Sequence, residues 1–266
     1  MQHPGALKSN AHPIKLLFKF SSAQHGLLFE MKHSLGFDPR EIPWTLQTEN
    51  WPAISAMSLS ADRLKSVFKN PPTWSPEMRS EPPLGQRTPK AAAVLMPIVM
   101  RGENGQEPQL LLTQRTQHLS SHPGQIAFPG GKVDPEDQTV EHAALREAKE
   151  EVGIGSEFVE ILGRLPSYVT GTSFHITPVV ALVSPHHTIT SNDNEVEFTF
   201  EVPLSFLMDP QNHRLHEWER DGVLRRWYSM PYVDSQSPAP KDYFIWGATA
   251  GMIRNFYRFL LAANSL

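Results

Sequence analysis

Three glutamates, Glu147, Glu150 and Glu151, fall within five residues of one another, directly after Arg146 and just ahead of Gly153. On a helix, residues three and four apart are neighbours, so these carboxylates converge. Each like-charge pair costs an isolated helix roughly 0.2–0.5 kcal/mol. They also crowd the C-terminal end, where the helix dipole disfavours anions. Such an arrangement asks for a cation. Carboxylate oxygens are hard donors, suited to Mg²⁺ or Mn²⁺. Glu147 and Glu151, four residues apart, aim at one point and are the expected direct metal ligands. Glu150 is either a third ligand or an indirect one acting through water. The competing reading is a solvated surface helix neutralised by Arg146 and Lys149.

The element that must hold these groups is a helix over Thr139–Val152, rich in Ala, Glu and Leu and free of Pro and Gly. Asp137 or Thr139 can cap its start, and Gly153 can supply the left-handed residue that ends it. Val140, Ala144, Ala148 and Val152, spaced by four, mark a narrow face for close packing. Ahead of it, Gly130 and Gly131 either let backbone approach a ligand or simply make the turn. Strands are expected over residues 91–100, 109–114, 158–165, 174–183 and 196–202. An amphipathic helix is expected in the closing segment IWGATAGMIRNFYRFLLA. Trp227, Tyr228, Tyr243 and Trp246 read as core residues. The mixture of strands and helices indicates an α+β class.

The 24 Lys and Arg against 28 Asp and Glu give a net charge of −4, with no basic surplus for nucleic acid. With no Cys, disulfides, thiolate nucleophiles and Cys-bound metals are excluded. No apolar run reaches the length of a membrane span. In the first 30 residues the cluster from Ile14 to Phe20 is broken by Lys15 and Lys19, and no Arg precedes Arg40. Both features are poor for targeting peptides. The expected location is cytoplasmic, with organellar targeting by this extension as the alternative. The expected organisation is a weakly packed extension over 1–57, a short helix and Pro-rich arm over 58–89, and a catalytic domain over 90–266. The short helix spans Ser58–Lys69, with Ser60 as its candidate cap.

The segment from Phe128 to Ile154 resembles the box of the Nudix hydrolases, G-x5-E-x7-R-E-U-x-E-E-x-G-U. Arg146, Glu147, Glu150, Glu151, Gly153 and Ile154 match its second half in order. The first half departs: the loop is one residue longer, with Gly131 one place early and Gln138 where the box has its first Glu, beside Asp137. The preceding run LLTQRTQHLSSHPGQIAFPGG, from Leu111 to Gly131, is similar to the segment marking the coenzyme A pyrophosphatase branch. Thr116 and Ser120 depart from that pattern, and at Ser120 an Arg is lost.

The resemblance implies a Nudix-type α/β/α sandwich with a mixed sheet and a catalytic loop-helix-loop. It also implies metal-dependent hydrolysis of the diphosphate bond of coenzyme A or a derivative, with Mg²⁺ or Mn²⁺ as cofactor. The products would be adenosine 3′,5′-bisphosphate and 4′-phosphopantetheine. Catalysis would fall to Glu150, Glu147 and Arg146, the last as a partner orienting a carboxylate. Glu147, Glu151 and Glu150 would hold metal. Arg115, His122, Gln125, Gly130 and Gly131 would meet the substrate, although His122 and Gln125 could equally fix the loop. The general base is open between Glu150, Glu195 and Glu197. Two other readings compete: the same chemistry on NADH or ADP-ribose, and a nucleotide-binding module without hydrolysis. The partner in each case is a small molecule, not nucleic acid or membrane.

Overall fold

The computed structural model describes residues 37–46, 51–83, 88–119, 122–220, 222–235 and 241–264. The chain divides into two units, Met1–Asp38 and Pro39–Leu266. Of the first, only Phe37 and Asp38 are described. Part of the expected extension therefore belongs to the second unit, and it is packed there. Trp44–Leu46 forms strand β1, Ile54 is buried, and Tyr257 Oη donates to the Pro52 carbonyl at 2.9 Å.

The short helix α1 spans Ala61–Lys69 and buries Leu64 and Val67. A single 3₁₀ turn, Ala56–Leu59, precedes it. Ser60 stands at the N-cap without a capping bond, and its hydroxyl turns back to the Met57 carbonyl. Next come β2 (Lys90–Arg101), β3 (Glu107–Arg115), β4 (Ile126–Ala127) and β5 (Gly130–Lys132). Helix α2 (Val140–Val152) follows, then β6 (Val159–Arg164), β7 (Tyr168–Val169), β8 (Phe174–Val183) and β9 (Val196–Pro203). One helical turn, α3 (Leu204–Leu207), leads to β10 (Arg214–Arg220), β11 (Val223–Asp234), β12 (Lys241–Trp246) and the closing helix α4 (Gly247–Asn264).

β2 to β9 form one mixed sheet whose central path runs β4-β3-β2-β8-β6. β2 and β8 are parallel over a ten-residue ladder, from Lys90↔Phe174 to Val99↔Val183, and the other pairs are antiparallel. Alternation along β2 sends Ala93 and Leu95 to one face, where Ala143, Ala144 and Ala148 of α2 meet them. Val94, Met96 and Ile98 point the other way, into a cluster shared with Leu64 of α1 and Ile253 and Phe256 of α4. Helices thus cover both faces of a mixed sheet, and the α+β sandwich expected from the sequence is what the chain forms.

Four antiparallel strands, β1-β10-β11-β12, make a second sheet. Trp246 ends β12 and does not open the closing helix, contrary to the reading of that segment as helical throughout. Trp227, Tyr228 and Tyr243 are buried, as expected of core residues, while Trp246 is half-buried.

Candidate active site

Helix α2 carries the carboxylates, and both its ends are tied down. Thr139 takes the N-cap, accepting from the His142 amide at 3.1 Å, while Asp137 is left for another partner. At the other end Gly153 adopts φ +75°, the left-handed conformation that closes a helix without the Cβ penalty. The loop ahead of β9 then lies across the last turn: the Thr190 and Asn192 amides donate to the Val152 and Glu151 carbonyls at 3.0 and 2.9 Å. That contact brings Glu195 to the site. Its carbonyl accepts from the Thr116 amide just beyond β3, at 3.0 Å.

Arg146 is the hub of the outer side. Its Nε and Nη2 make a two-pronged contact with Asp137 at 3.1 and 2.9 Å, and Nη1 reaches Glu147 at 3.0 Å and Glu150 at 3.1 Å. Nη2 also donates to the Lys132 carbonyl and lies 3.5 Å from Asp134. The Arg146 guanidinium holds the Asp137 carboxyl down at about 2, against the desolvation that opposes it. These bonds in turn raise the affinity of Arg146 for its proton. Asp137, with a side chain only 1% exposed, therefore fixes the loop to the helix through Arg146. The acid in the lengthened loop thus meets Arg146, which itself bonds Glu147 and Glu150.

Glu151 faces inward and is 3% exposed. It accepts from the Gly130 amide at 3.1 Å, and Arg115 Nη1 stands 3.6 Å from its other oxygen. Desolvation pushes its carboxyl up to about 7; the Gly130 amide and Arg115 oppose the shift, and Glu195 and Glu147 add to it. Glu147 is also raised, first by desolvation, with Arg146 pulling the other way and Glu150 and Glu195 adding repulsion. Gly131 packs against it so tightly that a Cβ there would lie 2.4 Å from the Glu147 Oε1. The glycine pair thus approaches the carboxylates with bare backbone, as a side chain could not.

The expected residues are therefore brought together, with three exceptions: Glu150, His122 and Gln125. Glu150 is held by Arg146 on the outside, with its side chain 57% exposed, and does not share the inward face. His122, with φ +55°, bonds Gln125 Oε1 at 2.9 Å, so these two residues brace the loop, one of the roles left open for them. Desolvation holds the His122 pKa below its ordinary value. Ser120 lies outside the described residues. Among the described residues no three acidic or His side chains stand together closely enough to enclose a metal ion. The donor chemistry nevertheless fits a divalent cation: oxygen ligands only, two of them desolvated and repelled by each other and by Glu195. Glu195 was legible only as an acid in a loop; its docking on the helix end is a tertiary fact.

The NUDIX domain model matches residues 89–244. The chain belongs to the Nudix family. Two Nudix relatives, from Yersinia pestis (strain Pestoides F) and Yersinia pseudotuberculosis serotype O:1b (strain IP 31758), are each 42% identical over 168 residues. The alignment spans 63% of this chain and 78% of theirs, and both are named "Uncharacterized Nudix hydrolase NudL". Among solved structures, a C. elegans Ap4A hydrolase binary complex overlaps 43% of this chain and 80% of its own, with 24% identity and a TM-score of 0.36. This Nudix chain is accordingly a pyrophosphohydrolase acting on a nucleotide-derived substrate. Among its described residues no helix is long and apolar enough to cross a membrane.

Proposed function

We propose that the chain hydrolyses the diphosphate bond of coenzyme A or a derivative, with Mg²⁺ or Mn²⁺, giving adenosine 3′,5′-bisphosphate and 4′-phosphopantetheine. The observation that carries the hydrolytic chemistry is the buried Glu151 carboxyl, faced by Glu147 and Glu195 and bonded to the Gly130 amide. The substrate assignment is supported by the Leu111–Gly131 run. Its Arg115 sits beside Glu151, and its Gln125 and His122 bond each other across the loop.

Glu147 and Glu151 are the residues that would hold the cation, with Glu150 reaching it through water. A bound divalent cation would neutralise phosphate charge and acidify a bound water. Arg115 supplies a fixed positive charge at the inner carboxylate. Gly130 and Gly131 let the backbone lie directly against Glu151 and Glu147. Arg146 keeps Glu147 and Glu150 oriented through Asp137. Glu195 is the favoured general base over Glu150 and Glu197. Its charge reaches both Glu151 and Glu147, whereas Glu150 is committed to Arg146.

The test is incubation of the purified chain with coenzyme A, NADH, ADP-ribose and a dinucleoside polyphosphate in Mg²⁺ or Mn²⁺, with product identification. Adenosine 3′,5′-bisphosphate from coenzyme A, at the highest kcat/KM of the panel, is the expected result. Turnover of NADH or ADP-ribose with none of coenzyme A would replace this substrate with theirs.

A further inference from the structure

The proline-rich arm, residues 71–83, is not a loose linker. Asn255 of α4 grips it with three hydrogen bonds: its side-chain oxygen accepts from the Glu77 and Met78 amides at 3.0 Å each, and its amide donates to the Met78 carbonyl at 2.6 Å. Arg254 adds a bond to the Glu77 carboxylate at 2.9 Å. Two residues on, the arm pairs with β7: the Val169 amide donates to the Arg79 carbonyl, the Glu81 amide to the Val169 carbonyl, and Ser80 bridges Val169 in parallel. Beyond it, Arg225 of β11 donates to the Pro82 carbonyl at 3.1 Å. The arm is thus fastened to a helix and to both sheets.

These fastenings deliver one carboxylate. Glu81 accepts from the buried Tyr168 hydroxyl at 3.1 Å and from the Gly171 amide at 2.8 Å, which fixes the turn between β7 and β8. That turn is joined to the start of β2 by the Lys90 amide on the Ser173 carbonyl. Tyr168 packs so closely on α4 that a Cβ at Gly251 would lie 2.9 Å from its ring. Two residues earlier, Thr249 of the same helix donates to the Ile126 carbonyl of the site loop. The charge of Glu81 also reaches His122 on that loop. The turn, the first coil of α4 and the loop from His122 to Gly131 therefore form one connected wall, and Glu81 is the arm's link to it.

We propose that Glu81 is a positioning residue for substrate, locking the arm to the 170–173 turn so that the wall beside His122 keeps its shape. It touches no reacting atom, so its loss weakens binding and leaves the chemical step alone. This inference rests on the diphosphate-hydrolase reading above. In Glu81→Ala both hydrogen bonds vanish, and KM for the diphosphate substrate is expected to rise about tenfold with kcat within about twofold of wild type. Glu81→Gln keeps an acceptor for Gly171 and a group that can pair with the Tyr168 hydroxyl, so it recovers most of the KM.

Steady-state kinetics on wild type, Glu81→Ala, Glu81→Gln and Tyr168→Phe decide the matter, with thermal unfolding of each as a control. A KM rise in the order Ala, Phe, Gln with kcat held supports the assignment. Unchanged KM in folded Glu81→Ala, or equal falls in kcat and kcat/KM, overturns it. Should Glu81→Ala not fold, unchanged KM in Tyr168→Phe overturns it equally. A wild-type protein that cleaves no diphosphate would instead refute the proposed function.

Discussion

Arg146 and Arg254 each draw together segments distant in sequence, but in opposite surroundings. Arg146 stands at the rim of the candidate site and binds Asp137, Glu147 and Glu150, with Asp134 3.5 Å away. One positive charge is set among four negative ones, so the region stays anionic. Arg254 is fully buried and bonds a single carboxylate, Glu77. The rings of Trp51, Tyr228 and Tyr257 lie 4.8, 4.8 and 5.5 Å from its guanidinium carbon, and His213 Nδ1 accepts from Nη1 at 3.1 Å. There the charges balance. The contrast is between an exposed rim left with an excess of negative charge and a buried hub in which one cation meets one carboxylate.

Breaking the balanced hub should have the larger effect on stability. Arg254→Met leaves Glu77 without its cation and removes three ring contacts. It should cost about 3 kcal/mol or more in urea unfolding, while kcat of the folded fraction at low temperature stays near wild type. A stable Arg254→Met protein would show that Asn255, the pairing with β7 and Arg225 hold the arm without it. At the unbalanced hub the order reverses. Arg146→Lys keeps one charge but cannot reproduce the two-pronged contact with Asp137 while also reaching Glu147 and Glu150. Activity should fall by about tenfold or more, with a change in unfolding free energy of no more than about 1 kcal/mol.

The smallest expected effect is the separation of the two hubs by pH. Burial, reinforced by Arg254 and opposed by the Leu207 carbonyl, holds His213 down at about 3. Unfolding returns it to the ordinary His range near 6.5, so the unfolded chain binds the extra proton. The stability contributed by neutral His213 is whole above that range and is lost as the pH falls from 6.5 towards 3. Asp137, held at about 2 against an ordinary 3.8, contributes above 3.8 and is lost only as the pH falls through the window from 3.8 to 2. Urea midpoints taken between pH 7 and 4 should therefore flatten in His213→Gln and not in Asp137→Asn. Equal slopes in all three proteins would remove the distinction.

What the sequence made legible follows the range of the interactions. Thr139, the run of alanines and Gly153 define α2 by local preference, and its ends fall within a residue of expectation. Convergence of Glu147 and Glu151 follows from helical spacing. Arg146 reads as an orienting residue because Glu147 follows it directly and Glu150 stands four places on. Glu195 was less legible, since only the docking of its loop on the Val152 and Glu151 carbonyls brings it to the site. Arg254 was illegible for a related reason: in the middle of an amphipathic helix an Arg reads as solvent-facing until Glu77, some 177 residues earlier, is seen to meet it. The second sheet was missed as well. Its strands carry charged residues among aromatics, as in RLHEWER, and their pairing depends on partners contributed from β1 to β12.

The most direct measurement is diphosphate hydrolysis by Glu151→Gln beside wild type, read with the thermal midpoint of each. Gln preserves the shape of the buried side chain and can still accept from the Gly130 amide, but it removes the charge. If the unbalanced cluster exists for catalysis, turnover falls by more than about a hundredfold while the midpoint holds or rises. Full activity in a folded Glu151→Gln protein would contradict the account.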